Sequence, residues 1–188
     1  MHVRRCRNTT RDQEIAPTDF LIPLPFAKGV QSAVEGVIAL CESEAACRKA
    51  YPEVRRQYRA IVDRLTQAAA EFDLNKQHVT LSKDMFVSKL RSLLYAPQAV
   101  SLFPLIMQQA YNSDWTTYAA VVMQITSALE GSIARGASFA VICAEDVPAM
   151  TPERIRSATQ GTDMGDSQAR RYEEYCKAWG PAPTCRHS

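Results

Sequence analysis

Ser138 to Pro148 reads SFAVICAEDVP: five consecutive apolar residues, Phe139 to Cys143, lead through Ala144 into the carboxylates Glu145 and Asp146. An apolar run predicts buried structure, so the two acids are expected where the chain leaves a core. Carboxylates at such a place either cap a following turn or bind a cationic group. Other chemistry is sparse. A nucleophile elbow needs G-x-S-x-G, with small residues around a serine on a tight strand-to-helix turn. The nearest stretch, Gly136-Ala137-Ser138-Phe139-Ala140, lacks the second glycine and places its serine before the apolar run, so Ser138 reads as a buried or capping serine. The three histidines are His2, His78 and His187. His2 and His187 fall in the terminal tails, and His78 opens a short β-rich run, HVTL, as a half-exposed strand residue. No H-E-x-x-H and no C-x-x-C pair is present, so neither a catalytic triad, a metal centre nor a cofactor is expected.

Composition bounds the partners. With 188 residues, 46% of them apolar, and a formal net charge of +2, the chain can bury one substantial core and is near neutral. Basic residues are dispersed apart from Arg4, Arg5 and Arg7 and the pair Arg170-Arg171, which gives no footprint for nucleic acid. No apolar stretch approaches the roughly 20 residues of a membrane-spanning helix. The opening MHVRRCRNTTRDQEI is basic but has no apolar segment after it, so it is not expected to be a signal peptide.

Six cysteines point the other way, because a reducing compartment rarely holds so many in a chain of this size. Cys41 and Cys47 could close a short loop. Cys143 ends the apolar run, and Cys176 shares a helical face with Tyr172 and Trp179. Six cysteines still allow fifteen connectivities.

The elements that must position these groups read as mainly α: a helical bundle of about six to eight helices with at most one short strand-like segment, HVTL. Phe26, Val30, Val34, Val37 and Cys41 recur at helical spacing after Pro17, Pro23 and Pro25. Val54, Tyr58, Ile61, Leu65, Ala68 and Phe72 predict a second helix reaching Asn75. Ser82 and Asp84 can cap a third, burying Phe86, Leu90, Leu93 and Leu94. Residues from Pro97 to Tyr111 are apolar on more than one face and predict a helix with partners on two sides. Asn112, Ser113 and Asp114 precede a long helix with Tyr118, Val122, Ile125, Leu129 and Ile133 on one stripe and Gly136 as its C-cap. Thr151-Pro152 starts a short helix, Gly161 and Gly165 bracket a loop, and a last helix ends at Trp179.

Four stretches in order, APTDFLIPLPFAKGVQSAVEGVIALCESEAACRKAYPEV, HVTLSKDMFVSKLRSLLYAPQAVSLFPLIMQQAYNSDW, GASFAVICAEDVPAMTPERIRSATQGTDMGD and the helix carrying Cys176 and Trp179, resemble the cap of α/β-hydrolase exopeptidases, the tripeptidyl aminopeptidase and proline iminopeptidase relatives. The resemblance implies a divergent tail over residues 1–16, a helical cap over 17–180 and a Pro-rich tail over 181–188. It implies disulfides Cys41–Cys47 and Cys143–Cys176, as in exported members, with Cys6 and Cys185 in the tails outside it. It implies Glu145, supported by Asp146, as the anchor for the free α-amine of a peptide. Nothing in the chain resembles the catalytic halves that flank such a cap. The expected function is therefore a substrate-selecting lid whose chemistry comes from elsewhere, inactive alone and prone to self-association through an apolar lid face. A stand-alone, non-enzymatic helical binding module is the alternative.

Overall fold

A computed structural model describes residues 20–74, 76–130 and 135–180 of the chain. The fold is mainly α. Eight helices of seven residues or more carry it among the described residues: α1 (Pro25–Ser43), α3 (Val54–Gln67), α4 (Lys83–Leu94), α6 (Phe103–Tyr111), α7 (Thr116–Glu130), α8 (Arg135–Val141), α10 (Pro152–Thr159) and α11 (Ser167–Trp179). Shorter pieces link them: α2 (Ala45–Ala50), α5 (Pro97–Val100), a π-helical turn (Ile142–Asp146) and α9 (Val147–Ala149). None of these helices is long and apolar enough to cross a membrane.

Local signals explain most boundaries. Ser82 caps α4 by accepting a hydrogen bond from the Met85 backbone N–H at 3.2 Å, and Thr151 does the same for Arg154 at 3.3 Å. Asp114 accepts from the Thr116 N–H at 3.0 Å where α7 begins. At the other end of α6, the Arg64 guanidinium donates to the carbonyls of Ala110 and Tyr111 at 2.6 and 3.0 Å, satisfying groups the helix leaves open.

The second predicted helix is shorter than its periodicity suggests. It stops at Gln67, and Ala70–Leu74 forms strand β1, paired antiparallel with β2 (Gln77–Leu81) so that Phe72 faces Val79. The pattern Ala-Glu-Phe-Asp-Leu alternates in burial with a period of two, which a strand satisfies and a helix does not. The single strand-like segment is thus one arm of a hairpin. Lys76, at φ 66°, takes the left-handed conformation at its tip. The stretch from Pro97 to Tyr111 is likewise two helices, α5 and α6, broken at Ser101 and Leu102 ahead of Pro104.

The main core lies between α1, α3, α4, α6 and α7. Val34, Ile38, Ile61, Phe86, Leu90, Leu93, Phe103, Ile106 and Met107 have no exposed surface. Helix α6 is the centre of this bundle, with α3, α7 and α1 around it, so its all-round apolar character is met within the chain. A smaller core joins Leu21, Leu24, Met150 and Ala169 and seats the C-terminal elements against the entry to α1. The loop between α10 and α11 is pinned to the bundle. Tyr58 donates its hydroxyl to Asp163 at 2.7 Å, the Asp163 N–H donates to Gln31 at 3.0 Å, and Gln168 donates to Ser88 at 2.6 Å. Gly161 and Gly165 bound that loop at φ 75° and 54°, conformations that glycine adopts without strain.

Candidate functional site

The segment carrying Glu145 and Asp146 is a π turn, continuous with α8. The Val147 N–H reaches back to the Ile142 carbonyl, five residues earlier, so the helix is widened by one residue at the acidic pair. Gly136 lies inside α8 rather than ending α7, and Ile133 lies outside the described residues. The run Phe139 to Cys143 is helical, and of its residues only Ile142 is buried, while Val141 is 53% exposed. A helix sends successive side chains around its axis, so a continuous apolar run cannot all face one core. The acids therefore sit on a half-covered helical ledge, not at the rim of a buried strand.

That ledge is tied to α11. Cys143 and Cys176 form a disulfide with Cα atoms 5.2 Å apart, and Cys41 and Cys47 form another across the α1–α2 junction with Cα atoms 5.0 Å apart. Cys6 and Cys185 lie outside the described residues. Around the first disulfide, Phe139 is the hub of an aromatic cluster: its ring centroid lies 6.1 Å from Tyr172, 5.6 Å from Tyr175 and 6.0 Å from Trp179. Spacings of three and four residues put these rings on one face of α11. Ser138, Phe139, Ile142, Tyr172, Tyr175 and Trp179 border a cleft of about 530 Å³, within the range of small-ligand sites. The sequence marks this face through Tyr172, Cys176 and Trp179, and the i+3 position of Tyr175 carries the same signal. What it does not reveal is that Phe139 turns toward them.

The two carboxylates have different surroundings. Glu145 is exposed. Asp146 is half-buried, and burial raises its carboxyl above the usual carboxylate range; the facing Ile22 backbone N–H opposes the shift and the Glu145 charge adds to it. Its side chain does not cap the turn that follows. Neither acid borders the aromatic cleft.

A raised native pKa has a definite sign for stability. The ionised Asp146 carboxylate opposes folding above its native pKa, and the penalty disappears as the pH falls below the unfolded value. Asp146→Asn keeps an acceptor for the Ile22 N–H and removes the charge. It is expected to raise the denaturation midpoint at about pH 7 and to leave it unchanged at about pH 3. Equal midpoints at the higher pH would mean that the Asp146 charge carries no such penalty.

The other candidates are not drawn together. Ser138 lies on α8, one residue before the hub of the aromatic cluster, with no strand-to-helix turn beneath it. His78 is on the hairpin, where its ring nitrogens face Asp73 at 3.4 Å and Glu71 at 3.8 Å across exposed surface. His2 and His187 lie outside the described residues. Among the described residues no three His, Cys, Asp or Glu side chains converge on a metal position. No protein-family model, curated protein or solved structure matches the chain.

Proposed function

We propose that this chain is the substrate-selecting helical cap of a serine α/β-hydrolase that acts on the amino termini of short peptides, with the Ser-Asp-His chemistry supplied by a catalytic domain outside it. The observation that carries this reading is the tethered ledge: Glu145 and Asp146 stand on a π turn fixed by Cys143–Cys176 to a helix whose Tyr175 and Trp179 remain 46% and 52% exposed. π turns recur at functional sites because the extra residue re-aims neighbouring side chains. A carboxylate on such a ledge suits a protonated amine once a second domain closes over it, since a charge-assisted hydrogen bond strengthens as water leaves. A lid of this kind governs access and specificity while the nucleophile lies beneath.

The alternative of a stand-alone binding module has its own support, the closed main core in which Phe86, Phe103 and Ile106 are fully buried. Purified chain offered aminoacyl and tripeptidyl chromogenic substrates is expected to give no turnover sensitive to a serine-directed inhibitor. It is expected to bind a hydrophobic dye, with roughly half of the signal lost in the Tyr175→Ser/Trp179→Ser variant. Inhibitor-sensitive turnover would overturn both readings. A monomer without dye binding would leave the stand-alone module, and an in-frame G-x-S-x-G in the adjoining DNA would favour the lid.

A further inference from the structure

On the side of the bundle where α1 passes α4, a groove of about 340 Å³ is walled by Phe26, Gly29, Val30, Leu94 and Tyr95, and among the described residues Arg91 is the one charged group lining it. The Arg91 guanidinium carbon lies 3.8 Å from the centroid of the Phe26 ring and 5.4 Å from that of Tyr95. Its Nε is buried and has no hydrogen-bond partner. Among the described residues no carboxylate lies within ion-pairing distance of it, whereas Arg55, Arg56, Arg156 and Arg170 all have one. Its charge does reach Tyr172, where it partly offsets the upward push that burial gives the hydroxyl.

A cation held among apolar walls without an anion is costly, because the walls return little of the hydration it gives up. Stacking on Phe26 covers the face of the guanidinium and leaves its edge, where the N–H donors lie, to meet a planar anion. Carboxylate geometry fits that edge. A single positive charge balances one negative charge and not two, and the remaining lining would reject a second. We propose that this groove binds a monocarboxylate with an apolar body, Arg91 pairing with the carboxylate while Phe26, Val30, Leu94 and Tyr95 take the hydrocarbon. The site is separate from the Glu145 ledge and does not rest on the lid reading.

Calorimetric titration of the full chain with decanoate tests it, with 1-decanol and inorganic phosphate as comparators. Decanoate is expected to bind, 1-decanol to bind about tenfold more weakly, and phosphate to give no heat. Arg91→Gln is expected to bring decanoate down to the level of the alcohol, with Arg91→Lys between. Gly29→Leu guards against a variant that simply misfolds: a Cβ there meets nothing within 4 Å and leucine favours the helix, so the fold should persist while the groove is filled. Loss of decanoate binding in a folded Gly29→Leu chain supports the site. No binding by the unaltered chain, equal binding of acid and alcohol, phosphate binding as tight as decanoate, or binding indifferent to both substitutions would each overturn it.

Discussion

Phe86→Ala is expected to cost about 3–5 kcal/mol of unfolding free energy, and to lower the thermal midpoint by roughly 10 °C. Phe86 is fully buried and holds two other rings: its centroid lies 5.9 Å from Trp115, edge to face, and 5.3 Å from Tyr118. Trp115 in turn stacks on Phe72 at 6.1 Å, so this one ring supports the group that seats the hairpin on the bundle. The Tyr118 hydroxyl donates to the Phe86 carbonyl at 3.2 Å, a bond that survives truncation of the side chain. The loss therefore comes from apolar transfer and from the cavity left among α4, α7 and the hairpin, which stiff rings cannot collapse to fill. Against a typical total of 5–15 kcal/mol, that is a large share of the stability. Phe86→Leu, which refills much of the volume, is expected to lose only about 1–2 kcal/mol. Urea titration of both variants checks the ordering, and a loss under about 1 kcal/mol for alanine would mean the aromatic group is not the keystone of the core.

The faces that build this core were legible because they repeat. Val30, Val34 and Cys41 on α1, Tyr58, Ile61 and Leu65 on α3, and Phe86, Leu90 and Leu93 on α4 all lie at helical spacing and are all buried. Caps at Ser82 and Thr151 were legible too, since a hydroxyl before a helical run has a specific backbone donor to meet. Phe72 was misplaced because it continues the helical spacing of α3 as well as the alternation of β1. Tertiary pairing with Val79 and stacking on Trp115 decided between them. Gly136 misled in a different way: glycine often ends a helix, yet here α8 runs through it. The disulfide partners came from resemblance, since spacing leaves the connectivity open, and both pairs are present. Least visible was Arg91, one arginine among many, whose setting depends on Phe26 arriving from a helix more than sixty positions earlier in sequence. A groove between elements far apart in the chain leaves no local pattern.

Removing the tether should show whether the candidate ledge is held or merely adjacent. Cys143→Ser/Cys176→Ser opens a loop whose ends are 33 positions apart, and loop entropy alone makes this a loss of about 3–4 kcal/mol. The corresponding change at Cys41 and Cys47, only 6 positions apart, is expected to cost nearer 2 kcal/mol. Location sharpens the contrast. Cys41 is 4% exposed at the end of α1 and packs in the main core, with Cys47 against it, so this link joins groups that packing already holds together. Beyond the tether, the π turn has the aromatic contacts of Phe139 and the small cluster around Met150 and Ala169. Amide exchange over 142–149 and 167–179 is therefore expected to accelerate in the Cys143→Ser/Cys176→Ser chain while α3, α4 and α6 keep their protection. The same variant should bind more hydrophobic dye as the Phe139 cluster separates from α11. Uniform acceleration across the bundle would assign the disulfide to global stability, whereas unchanged exchange at the ledge would mean that packing alone positions Glu145 and Asp146. A ledge that loosens selectively is one whose carboxylates are aimed by the covalent link.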